Sequence, residues 1–191
     1  NLPEAVPFII YLFSRGTIPL ALTVMQVLSI DLGTDMVPAI GLGSEPPEAG
    51  IMDRPPRSQK EPLLNWAVLA RAIWYGTIES ATAMASFFFL YRLYGWRPGM
   101  PLTSSGPVYQ MATTMTLAAI VFNQIGVVFN CRTERVSIFR VGFRSNRMVL
   151  IGIACELTLL SLFTYVPFLH SLFNTAPLGL GAVAFLLIWT P

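Results

Sequence analysis

The run from Leu20 to Ile40 is predominantly apolar, yet it carries Asp31 and Asp35 near its middle. Such a run is long enough to cross a bilayer, because ~20 apolar residues span the hydrocarbon core. On a continuous helix, acids spaced i and i+4 share one face. An aspartate at mid-membrane costs at least ~2.5 kcal/mol, so a pair needs a compensating cation, proton or partner. Gly33 between the two acids loosens the helix, and Pro38 has no N–H to give to the carbonyl of Thr34. Two carboxylates, a hydroxyl and a freed carbonyl at one depth amount to a set of hard-cation ligands.

Further apolar runs follow, and only 12% of the 191 residues are charged while 54% are hydrophobic. A soluble domain carries about 25% charged residues. The pattern predicts an all-α, polytopic transmembrane bundle with six spans: a partial helix over 1–15, helices over 20–41, 66–91, 108–130 and 148–169, and a partial helix over 176–191. The first and last look cut through a helix, as in a piece of something longer. Residues 43–62 form a polar loop with five prolines, and 131–147 form a basic loop.

Counting Lys and Arg in alternating loops places nine on one side (Arg54, Arg57, Lys60, Arg71, Arg132, Arg135, Arg140, Arg144, Arg147) and three on the other (Arg15, Arg92, Arg97). The richer side is expected to be cytoplasmic. This topology accounts for the Arg cluster better than nucleic-acid binding does, so no nucleic-acid partner is expected. Cys131 and Cys155 make neither a disulfide framework nor a metal spacing. There is no Gly-rich phosphate loop and no nucleophile with a base, so nothing in these residues hydrolyses ATP.

Depth supports a shared site. Glu4 precedes Arg15 by 11 residues and Asp31 follows Pro19 by 12, which puts both roughly 17 Å below the outer surface at ~1.5 Å per residue. Arg15–Pro19 is a short turn, so the two helices are antiparallel and their acids can face each other. Pro7 frees the carbonyl of Pro3, and Asn1 lies one helical turn from Glu4. Gln124 is either a ligand or an interhelical hydrogen-bonding residue. Glu156 could complete a site, relay protons, or be held neutral by burial. Glu79 has the same ambiguity, with a structural role favoured, and Asn123 reads as a packing residue. His170 falls in an outer loop and is expected to be solvated.

Four stretches carry a resemblance. Asn1-Leu-Pro-Glu-Ala-Val-Pro-Phe8 resembles the fifth transmembrane helix of type II P-type cation ATPases, the family of the sodium/potassium, proton/potassium and reticulum calcium pumps. Ile30-Asp-Leu-Gly-Thr-Asp-Met-Val-Pro-Ala39 is similar to the sixth helix in its sodium/potassium form. Ile51-Met-Asp-Arg-Pro-Pro-Arg57 looks like the cytoplasmic loop that follows, and Cys131-Arg-Thr-Glu-Arg-Val-Ser-Ile-Phe139 like the loop after the eighth helix.

The resemblance implies the C-terminal membrane domain of such a pump, from mid-fifth to mid-tenth helix. It implies that Glu4, Asp31, Thr34 and Asp35 coordinate the transported cation (sodium, potassium, calcium or proton), with Asn1 assisting. Gln124 falls where the calcium pump has a glutamate ligand and the sodium pump a glutamine. Glu156 falls on an acidic position linked in the sodium pump to an additional sodium site, whose eighth-helix aspartate is Val127 here. ATP and magnesium would act only through cytoplasmic ATPase domains upstream, which with the first four helices and the lipid bilayer are the expected partners. A plasma-membrane location is expected. The rival reading is a stand-alone secondary transporter or channel module with an acidic midplane site.

Overall fold

The computed structural model describes residues 2–47, 50–53, 55–56, 62, 64–133 and 136–189. These are helical and contain no strand. Helix α1 (Leu2–Phe13) ends in a tight turn where Arg15 (φ 53°) and Gly16 (φ 77°) adopt left-handed backbone. There the N–H of Gly16 returns to the carbonyl of Tyr11 at 3.0 Å. The chain then reverses, and Thr23 starts α2 (Val24–Ser29) through a capping box: its hydroxyl accepts from the N–H of Gln26, whose Oε1 accepts from the N–H of Thr23.

The helix expected over 20–41 is not continuous. After α2 the backbone widens into a π turn over Ile30–Thr34, closed by the N–H of Asp35 on the carbonyl of Ile30 at 2.9 Å, before α3 (Met36–Gly43) resumes. The cause is local. Gly33 is a weak helix former, and Pro38 withholds the N–H that would close a regular turn onto Thr34. Ala39 donates to Asp35 at 3.1 Å, so the Thr34 carbonyl gains no helical donor from either residue.

Helix α4 (Trp66–Leu93) is capped by Asn65, whose Oδ1 accepts from the N–H of Val68 at 2.9 Å. Helix α5 (Pro107–Cys131) opens on a proline, where the missing N–H costs nothing. A short α6 (Ile138–Val141) leads to α7 (Arg147–Tyr165), then α8 (Pro167–Phe173) and α9 (Leu180–Trp189). The span expected over 148–169 thus divides at Val166, because Pro167 forces its predecessor into extended backbone (φ −89°, ψ 112°). His170 lies on α8, half-buried, with its Nε2 2.9 Å from the carbonyl of Thr164, so the expectation that it is solvated is corrected.

Helix α5 is the centre of the bundle, buried without a gap from Ala112 to Val121. Its threonines enter the core because Thr113, Thr114 and Thr116 donate to carbonyls of their own helix. Helix α4 packs against it through Ala83, Phe87, Leu90 and Tyr91, and Phe89 stacks on Phe185 of α9 at 3.9 Å. By length and apolarity together, two helices among the described residues qualify to cross a membrane, α5 and α7. Six spans are not established by this criterion, since the others are short, interrupted or, in α4, diluted by Glu79 and by Gly, Ser and Thr residues.

Helices α3 and α7 approach each other backbone to backbone at two glycines. A Cβ at Gly152 would lie 2.8 Å from the Cα of Pro38, and one at Gly41 would lie 2.9 Å from the Cα and N of Val149. Only hydrogen at these positions lets the two backbones meet, as at small-residue crossings of membrane helices. The pairing is antiparallel, and one turn further along it brings Glu156 level with Asp35.

Candidate cation site

Glu4 on α1 and Asp31 and Asp35 at the π turn each offer a carboxylate oxygen, and the three oxygens lie within 4.8 Å of one another. Glu4 is 6% exposed, while Asp31 and Asp35 are half-buried. Oxygens bound to a hard cation at about 2.3–2.6 Å stand at most about 5 Å apart, so the spacing accommodates one central ion. Three like charges this close also repel strongly at low dielectric, which demands a cation or protons among them. Thr34 is 1% exposed, with its hydroxyl donating to the carbonyl of Ile30 at 3.1 Å. Asn1 lies outside the described residues.

Glu156 lies outside that group of acids, and Gln124 lies beside it. Together with Asp35 and Val127 they line an adjoining cavity of about 190 Å³ between α3, α5 and α7. Glu156 is 1% exposed, and neither of its carboxylate oxygens has a hydrogen-bond partner among the described residues; the buried Oε1 of Gln124 has none either. The expected set therefore separates into two adjoining groups, and Asp35 belongs to both. Buried acceptors without donors are costly, so this cavity suits an occupant that brings positive charge or N–H and O–H donors.

Two polar networks escaped the sequence reading. Gln26 is fully buried, and its Nε2 donates to the Thr113 hydroxyl and the Asn174 carbonyl, both at 3.2 Å. The Thr23-x-x-Gln26 pattern was the available signal. Past the end of α3, Glu45 takes two hydrogen bonds of 2.9 Å from the Arg132 guanidinium and one of 2.7 Å from Asn146. Asn146 also donates to the carbonyl of Gly41 at 3.0 Å. The Arg132 side chain is fully buried, so this basic-loop residue is a structural clamp as well as a charge on one side. The Arg132 hydrogen bond holds the Glu45 carboxyl below its ordinary value, with Asn146 reinforcing the effect. No sequence spacing announces a pair this far apart in the chain.

The fold is a bundle of apolar helices, two of them among the described residues long and apolar enough to cross a membrane, with carboxylates buried among them. Residues 19–190 match the family model described as "Cation transporting ATPase, C-terminus", and the chain belongs to that family, the C-terminal domain of P-type cation ATPases. It is 29% identical over 93% of its length to potassium-transporting ATPase alpha chain 1 of Xenopus laevis, covering 20% of that protein. It is 31% identical over 95% of its length to sodium/potassium-transporting ATPase subunit alpha-4 of Rattus norvegicus, again covering 20%. Against probable cation-transporting ATPase F of Mycobacterium tuberculosis, the identity is 30% over 82% of this chain and 16% of the relative. The chain thus spans about a fifth of the length of these relatives.

Proposed function

We propose that this chain is the cation-binding and translocation part of an ATP-driven P-type pump, crossing the membrane six times with its basic loops in the cytoplasm. The observation that carries the reading is the convergence of Glu4, Asp31 and Asp35 within 4.8 Å in a chain of this family. These three acids, with Thr34 and with Asn1 assisting, hold the transported cation, which is sodium, potassium, calcium or a proton. Gln124 and Glu156 form the adjoining station. ATP and magnesium act through cytoplasmic domains of the same polypeptide, and the pump resides in the plasma membrane.

The broken helix suits this task. A π turn between two short helices can exchange carbonyl ligands as α2 and α3 shift, whereas a regular helix would have its carbonyls committed. Emptied of its ion, the cluster takes up protons to relieve repulsion among its acids, which supports proton counter-transport.

The test is a cation screen of ATPase activity on the full-length polypeptide, wild type beside Asp31→Asn and Glu4→Gln. Stimulation by one cation, with apparent affinity reduced about tenfold or more in both variants, a change of ~1.4 kcal/mol, supports the site. Stimulation that survives both substitutions unchanged would place the ion elsewhere.

A further inference from the structure

A second pocket, mostly apolar but holding a few polar side chains, lies between α4 and α5, about a quarter-turn around α5 from the cavity beside Asp35. Its volume is about 190 Å³, and its lining includes Tyr75, Glu79, Asn123, Val127 and Asn130. Val127 also lines the first cavity, so the two cavities border the same residue. Asn123 is 3% exposed and Glu79 9%. The amide of Asn123 donates to the carbonyl of Ala119 at 2.8 Å, which leaves its Oδ1 buried with no partner among the described residues. Glu79 has no hydrogen bond or ion pair among the described residues. Arg71, two turns earlier on α4, is exposed.

The pocket therefore gathers a carboxylate and an amide oxygen, both acceptors, with the Tyr75 phenol beside them. A buried carboxylate with a facing acceptor is unstable unless something positive stands between. A proton on Glu79 would need no space, whereas about 190 Å³ holds several waters at ~30 Å³ each. A divalent ion would call for more carboxylates than one. We propose that Glu79 and Asn123 form a second cation site, for a single monovalent ion with part of its water shell, entered from the end of the helices where Tyr75 and Asn130 lie. Its occupancy does not depend on Glu4 or Asp31, so it stands or falls separately from the cluster.

The experiment is equilibrium binding of radioactive sodium and of radioactive rubidium to the detergent-solubilised full-length polypeptide. Glu79→Gln is expected to bind one equivalent fewer than wild type of one of these ions. Asn123→Leu is expected to weaken that same equivalent about tenfold, while Asp31→Asn removes other equivalents and leaves this one. Wild-type stoichiometry and affinity in both Glu79→Gln and Asn123→Leu overturns the proposal, and that is also the result if Glu79 merely carries a proton. Should Glu79→Gln lower the melting midpoint and lose every equivalent, the Asn123→Leu titration decides alone.

Discussion

Glu45, just past α3, is held by the Arg132 guanidinium and the Asn146 amide, whereas Glu156, which faces the same helix from α7, meets no donor among the described residues. Both acids belong to the α3–α7 contact, and both are largely sequestered. At the loop end a fixed cation neutralises the charge permanently, so Glu45 and Arg132 tie α3 to the segment between α5 and α7. Inside the bundle no fixed donor meets the Glu156 carboxylate among the described residues. The difference separates an acid that holds the fold from one that the proposed function makes available for transport.

Removing the clamp should have the largest effect. Arg132→Ala leaves Glu45 without its cation, with only the Asn146 amide on it, and takes the donor from the Phe143 carbonyl; it is expected to destabilise the full-length polypeptide by about 3–5 kcal/mol in detergent unfolding. The double variant Glu45→Leu/Arg132→Leu should lose clearly less, because no unpaired charge remains. If the single and double variants are equally damaged, the clamp is not an ion pair in energetic terms.

Next comes the crossing. Gly152→Ala drives a methyl into the backbone of Pro38 and is expected to cost about 1–3 kcal/mol, with weakened cation stimulation because Asp35 moves with Pro38. Gly179→Ala meets nothing within 4 Å and should stay within about 0.5 kcal/mol of wild type.

A smaller effect follows from pH. The folded Glu45 carboxyl is held below its ordinary value of 4.5. Its contribution is therefore complete above that value and is lost as pH falls through the lower folded value. Melting midpoints measured down an acid series should drop for wild type and drop less for Glu45→Gln; parallel curves would remove Glu45 from the account.

Glu156→Gln should have the smallest effect on stability, within about 0.5 kcal/mol, since no hydrogen bond or ion pair of its carboxylate is lost. The expected change is instead in cation affinity, measured by the same ATPase titration. A loss of stability as large as that of Arg132→Ala would erase the distinction between the two acids.

Much of the helical character was legible because apolar runs and prolines act locally. The expected helix over 66–91 and the observed α4 begin at the same residue, Trp66. The acids of the cluster were legible too, since a charge within an apolar run is conspicuous whatever it later touches. The π turn was only half-visible. Gly33 and Pro38 marked a weak point, but whether the backbone kinks, unwinds or widens depends on what α7 presses against it. The roles of Gln26 and Arg132 were hidden because each is decided by partners more than 80 residues away in the chain.

By itself, then, the order of residues determined where helices could form, where Pro167 and the Gly33–Pro38 stretch would interrupt them, and which acids would need an answer to their charge. Those are properties of propensity, backbone donors and desolvation, all set within a few residues. Tertiary structure alone decided which answer each acid received. The hydrogen-sized side chains of Gly41 and Gly152 let α3 and α7 meet backbone to backbone, and that contact sets Glu156 level with Asp35 while Asn146, capping α7, reaches Glu45. Coulomb interactions at low dielectric depend on distances of a few ångströms, and only the packing of distant segments sets those distances.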